Sequence, residues 1–247
     1  MHARRLLLIV PIALAVLAPA AAASAPGRPV VVVFGDSLVE EATSYVRFFG
    51  GLSGLDVQVR ASGGSALCDY RAEVEAAVAD PEVAAVAVAF TGNNLTPCAQ
   101  GLEGAPLGQR YADDVAAVMA ASRAAMPVLW IRGPAAWYPN PNGTLVARRT
   151  GETASRWRNA ELVDGAAAIS PAGVWSRTQP CLASEPCTGP VVTGVPTNVV
   201  RAPDGVHFCP TGKPSVGGRT VPCEMYASGA RRYAVAIIEH LRGAIGR

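Results

Sequence analysis

Four consecutive valines, Val30 to Val33, preceded by Pro29 and closed by Phe34, restrict the fold of this chain more than any other segment. Successive side chains of a strand point to opposite faces of its sheet, so a strand this uniformly apolar must bury both faces. That requirement suits a parallel strand covered by helices on either side. Similar runs recur at Val83 to Phe90 and Pro127 to Ile131, with a shorter and more polar one at Asp56 to Val59. Helical patterns lie between them, at Glu40 to Phe49, Tyr70 to Ala79 and Tyr111 to Ala125. The alternation predicts an α/β fold in three layers, helices on both faces of a parallel sheet. Farther along, Glu152 to Ala167 reads as another helix and Ala168 to Trp175 as a short last strand. The Pro-, Gly- and Thr-rich segment Arg177 to Pro203 reads as a long surface loop, and Ala227 to Ile245 as a terminal helix.

The N-terminal stretch has a different character. Arg4 and Arg5 precede an apolar run from Leu6 to Leu17, and Ala23-Ser24-Ala25 offers small residues for cleavage, the order found in a secretory signal peptide over residues 1–25. The run is interrupted by Pro11 and is shorter than the roughly 20 residues that span a bilayer, so no transmembrane span is expected in the mature chain. Residues 26–247 then suffice for a single α/β domain, secreted or held in the cell envelope.

Arg4 and Arg5 also account for the net charge of +2, which leaves the remainder close to neutral. Without a basic patch, a nucleic-acid partner is not expected. All six cysteines, Cys68, Cys98, Cys181, Cys187, Cys209 and Cys223, follow the leader, and an even number in an exported chain favours disulfides. No CxxC pair is present, and His207 with Cys209 and Cys223 lacks a third conventional ligand at the usual spacing, so no metal or other cofactor is expected.

In an open parallel sheet the ligand crevice lies beyond the carboxyl ends of the strands. The first strand leads into Gly35-Asp36-Ser37-Leu38, which places Ser37 where a helix begins and its N–H groups are unpaired. An Asp or Ser before a helix is also an ordinary N-cap. The second strand leads into Ser62-Gly63-Gly64-Ser65 and the third into Thr91-Gly92-Asn93-Asn94, where glycine N–H groups and asparagine amides can donate to an oxyanion. Glycine and asparagine also simply make turns. The sharpest signal is Asp204-Gly205-Val206-His207, since an acid three residues before a histidine can hold Nδ1 while Nε2 faces a serine. The other histidine beyond the leader, His240, lies far along the terminal helix. Trp137, Tyr138 and Trp157 read as packing or surface residues.

In this order, Gly-Asp-Ser-Leu, a glycine turn, Gly-x-Asn and Asp-x-x-His resemble the four signature blocks of the SGNH (GDSL) hydrolases, from Val30 to the terminal helix. The resemblance implies a flavodoxin-like parallel sheet of about five strands. It implies Ser37 as nucleophile, Asp204 and His207 as its proton-transfer pair, and an oxyanion hole from Ser37, Gly64 and Asn94. Asn93 stands as an alternative, because the chain has Gly92-Asn93-Asn94 where the family reads Gly-x-Asn-Asp, and Gly63 is the corresponding alternative to Gly64. The expected function is hydrolysis of small-molecule, lipid or glycan esters through an acyl-enzyme. Acyl transfer to a sugar hydroxyl and a catalytically idle glycan-binding module are the other two readings. No Gly-x-Ser-x-Gly elbow is present to support an α/β-hydrolase. The cysteines are expected to pair sequentially, Cys68 with Cys98, Cys181 with Cys187 and Cys209 with Cys223, and the first of these bridges would tie together the two loops that carry the candidate oxyanion donors.

Overall fold

The computed structural model describes residues 27–212, 215–216, 219–220, 223 and 225–246. The expected signal peptide, residues 1–25, lies outside the described residues. The valine-rich segment forms β1 (Val30–Gly35), followed by α1 (Ser37–Leu52), β2 (Asp56–Ala61), α2 (Leu67–Ala79), β3 (Val83–Ala89), α3 (Gly104–Ala121) and β4 (Val128–Ile131). These strands and β5 (Ala160–Val163) make a five-stranded sheet in the order β2-β1-β3-β4-β5, all neighbours parallel. That is the doubly wound order of flavodoxin-like sheets. The alternation of side chains along β1 explains its composition. Val31 and Val33 pack into one core with α1 and the C-terminal helix, and Val32 and Phe34 into a second core with α2 and α3.

The register of elements after β4 differs from the sequence expectation. The helix α4 runs from Pro141 to Ala154 and the last strand, β5, from Ala160 to Val163, so the segment read as one helix, Glu152 to Ala167, holds a helix end and a strand. Ala160-Glu161-Leu162-Val163 consists mainly of good helix formers, and its pairing with β4 overrides that preference. As an edge strand with Leu162 half exposed, β5 lacks the continuous apolar signature of β1. Ala168 to Trp175 is not a strand; it contains a single 3-10 turn at Pro171–Gly173. The terminal helix, α5 (Ser228–Ile245), agrees with expectation. Among the described residues no helix is long and apolar enough to cross a membrane.

The segment Arg177 to Pro203, expected to be a loop, forms a small antiparallel sheet of β6 (Thr178–Pro180), β7 (Val191–Val192) and β8 (Val195–Val199) in the order β6-β8-β7. Its strands are two to five residues long, too short for a period to stand out. The Cys181–Cys187 disulfide closes a loop on its margin that delivers Glu185 into the body of the protein. There the carboxylate pairs with the buried guanidinium of Arg232 and accepts hydrogen bonds from Tyr226 Oη at 2.9 Å, Ser228 Oγ at 2.8 Å and the Leu182 N–H at 3.0 Å. Burial alone would raise the Glu185 carboxyl; the donors, Arg232 first, outweigh it and hold it down to about 2. A carboxyl depressed in the folded state stabilises above its unfolded value and loses that contribution as pH falls through the folded one. Acid denaturation is therefore expected to draw on Glu185 between its ordinary 4.5 and about 2. Glu185→Ala, which strands Arg232 as a buried charge, should cost about 3–5 kcal/mol at neutral pH, measured by urea unfolding, with the deficit narrowing as the pH approaches 2.

Candidate active site

The sheet order reverses between β1 and β3, and a ligand crevice opens at such a switch point. Asp36 leaves β1 and caps α1, its Oδ1 accepting the Leu38 N–H at 3.1 Å. Its Oδ2 accepts the Thr91 N–H at 2.8 Å, the Thr91 hydroxyl at 2.6 Å and the Asn93 amide at 3.3 Å. The capping acid thus also fastens the loop after β3 to the start of α1. Burial drives its carboxyl upward in pKa, and the Thr91 and Leu38 donors oppose that. Ser37 follows as the first residue of α1, where an N–H has no intrahelical acceptor and the helix dipole favours an anion.

The segment between β8 and α5 brings the remaining groups to Ser37. One carboxylate shapes the turn: Asp204 Oδ1 accepts the Val206 and His207 N–H groups at 2.8 and 3.0 Å, and Oδ2 meets His207 Nδ1 at 2.7 Å. His207 Nε2 then lies 2.9 Å from Ser37 Oγ. Partial burial would raise the Asp204 carboxyl, but the backbone donors of the turn and the imidazole outweigh it and hold the group below its usual value. Gly205 has φ +76°, and a Cβ there would sit 2.5 Å from Trp137 Cβ, so only glycine completes this turn. Its carbonyl accepts the Trp137 N–H at 3.1 Å and Trp175 Nε1 at 3.0 Å. His240 is remote from this constellation, on α5, with Nδ1 at 2.9 Å from Glu161.

The two asparagines take different places. Asn93 directs its amide nitrogen at Asp36 and, at 3.0 Å, at the Ser65 carbonyl, and its own carbonyl accepts the Tyr111 hydroxyl at 3.1 Å. The Asn94 amide instead donates to the Leu102 carbonyl at 2.8 Å and ties the loop to itself. The Asn93 amide thus lies beside the strand end that leads into Ser37, and the Asn94 amide lies against its own loop; Asn93 is the residue reached by counting from the end of β3. In the loop after β2, Ser65 N–H closes a turn on the Ser62 carbonyl, with Gly64 at φ +79° in its third position, where a type II turn needs glycine. Cys68 and Cys98 are bonded, joining the start of α2 to the loop beyond Asn93. Cys209, two residues after His207, is bonded to Cys223.

Thr91, which bonds Asp36 twice, had no sequence signal beyond its place at a strand end. It also borders a cavity of about 710 Å³ that runs between the loop after β4 and α4, past Gly133, Trp130 and Ala147. Ser37, Asp204 and His207 are not among its lining residues.

No protein-family model and no curated protein sequence matches this chain. Solved structures do. An acetyl esterase in a serine-to-alanine form with acetate ion is similar over 88% of this chain and 98% of its own, at 14% identity and a TM-score of 0.53. A GDSL-like lipase from Bacteroides thetaiotaomicron covers 88% of this chain and 89% of its own, at 15% identity and a TM-score of 0.51. The C-terminal catalytic domain of Streptococcus pneumoniae peptidoglycan O-acetyltransferase A, carrying a methylsulfonyl adduct, covers 87% and 94%, at 14% identity and a TM-score of 0.51. With the strand order above, these likenesses establish that the chain has the fold of the SGNH (GDSL) hydrolases.

Proposed function

We propose that the protein is an exported serine esterase that cleaves carboxylic esters by way of an acyl-enzyme on Ser37. The observation that carries this reading is the continuous chain from Asp204 through His207 to Ser37, at 2.7 and 2.9 Å. His207 accepts the Ser37 proton as Oγ attacks the acyl carbonyl, and Asp204 holds the ring so that Nε2 is the free base. The tetrahedral oxyanion is received by the N–H groups of Ser37 and Gly64 and by the Asn93 amide, which gives up its long 3.3 Å bond to Asp36 for it. His207 returns the proton to the departing alcohol. Water, activated by the same base, then attacks the acyl-enzyme, releases the acid and restores Ser37.

The substrates proposed are acyl groups on envelope glycans or lipids, in keeping with three disulfides and the leader-like pattern of the first 25 residues. Transfer of the acyl group to a sugar hydroxyl is the second reading, favoured by the likeness to the peptidoglycan O-acetyltransferase domain. Product analysis with acetylated esters separates the two. Free acid as the main product, whether or not an acceptor sugar is present, is expected for the esterase. Diversion of most of the acyl group to the sugar would replace it with the transferase.

The asparagine assignment yields its own expected result. Asn93→Ala should lower kcat by about 10²- to 10³-fold with little change in KM, the usual loss for one oxyanion donor, and Asn94→Ala should do much less. Reversal of the two effects, read by steady-state kinetics on a small aryl ester, would return the role to Asn94.

A further inference from the structure

Two buried side chains outside the signature blocks converge on the turn that carries Asp204 and His207. Glu41 stands one helical turn after Ser37 on α1, and its Oε2 accepts the N–H of Phe208, the residue after His207, at 2.7 Å. One helix therefore holds both the nucleophile and, through Glu41, the backbone that carries the base. Arg201 approaches the same turn from the end of β8. It is fully buried, and among the described residues no carboxylate forms an ion pair with it. Its Nη2 donates to the Ala135 carbonyl at 3.1 Å and approaches the Gly205 carbonyl at 3.4 Å, and the guanidinium lies over the Phe208 ring, 5.4 Å from the centroid.

A buried cation without an ion pair is a poor device for stability, because desolvation is offset only in part by two carbonyls and a ring. Burial pulls the guanidinium down to about 10, which still leaves it charged at neutral pH, with Asp204 and Glu41 acting in the opposite direction. Each of its contacts bears on the catalytic turn. Gly205 belongs to that turn, Phe208 follows it, and Ala135 lies two residues before Trp137, whose N–H is bound to Gly205.

We propose that Glu41 and Arg201 are positioning residues, Glu41 setting the separation of the His207 ring from Ser37 and Arg201 fixing the Asp204–His207 turn against the loop that follows β4. This rests on the serine esterase reading. Neither side chain touches the reacting atoms; both act through the backbone on either side of His207. Proton transfer is sensitive to such placement, and a displacement of about 1 Å can cost about 10²-fold.

The test compares Glu41→Ala, Glu41→Gln and Arg201→Met with 4-nitrophenyl acetate as substrate, circular dichroism to verify folding, and proton NMR of the low-field Asp204–His207 resonance. Folded Glu41→Ala and Arg201→Met are expected to lose about 10²-fold in kcat with KM within about twofold, and to weaken or lose that resonance. Glu41→Gln, whose amide oxygen can still accept from Phe208, should recover kcat to within about threefold of wild type. Wild-type kcat and resonance in folded Glu41→Ala or Arg201→Met would overturn the proposal. So would a Glu41→Gln as impaired as Glu41→Ala. Should Arg201→Met not fold, the Glu41 pair decides. A wild-type protein inactive on every ester would instead refute the esterase reading, and the resonance would still report on the turn.

Discussion

Alanine in place of Ser37 is expected to lower kcat by about 10⁶-fold, and His207→Ala by a similar factor, because the proposed mechanism makes the two one proton-transfer unit. In that mechanism Ser37 Oγ gives up its proton to the imidazole 2.9 Å away. Removing either partner abolishes the same step, so the double variant should be scarcely worse than either single one. That non-additivity separates a shared mechanism from two independent defects. The fold should survive, since Ser37 takes no part in capping α1, which Asp36 does. Stopped-time product assays at high enzyme concentration can read the residual rate; a variant retaining more than about a tenth of wild-type turnover would remove its residue from the mechanism.

Asp204→Asn is expected to lower kcat by about 10⁴-fold while the turn keeps its shape. An asparagine oxygen can still accept the Val206 and His207 N–H groups, which Asp204 Oδ1 holds at 2.8 and 3.0 Å. The other terminus becomes an NH₂ group facing His207 Nδ1, where a carboxylate oxygen stood at 2.7 Å. That reversal favours the tautomer with a proton on Nε2, which can donate to Ser37 but cannot take its proton. The loss should therefore fall on kcat, with KM nearly unchanged. Asp204→Ala adds loss of the backbone bonds and is expected to lower thermal stability too. Equal melting temperatures for the alanine and asparagine variants would show that the carboxylate does not shape the turn.

The parts of the fold legible in the sequence are those whose local pattern and tertiary environment agree. β1 and β3 are buried on both faces, and an apolar run says so directly. β5 is an edge strand written in helix formers, and only its pairing with β4 decides its conformation. The start of α4 was written in the sequence as Asn140-Pro141, a capping residue followed by proline at the first helical position. The glycine and threonine that follow obscured it.

At the site, Ser37, Asp204 and His207 were legible because each block is short and its chemistry local: a strand end, and an acid three residues before a histidine. The choice between Asn93 and Asn94 was not, since adjacent asparagines have the same composition and differ only in where the loop turns them. Asn93 is directed at Asp36 and Ser65, and Asn94 at Leu102. Glu41 and Arg201 were hidden for another reason. The Glu41 partner is a backbone N–H 167 residues away and the shorter carbonyl contact of Arg201, with Ala135, spans 66, and no spacing rule reaches that far.

Labelling of the folded protein with a fluorophosphonate probe, followed by intact mass and peptide mapping, tests the nucleophile directly. Activation of Ser37 by His207 predicts one adduct per chain, located on Ser37, and none on His207→Ala protein under the same exposure. An unlabelled wild-type chain, or an adduct on any other residue, would contradict it.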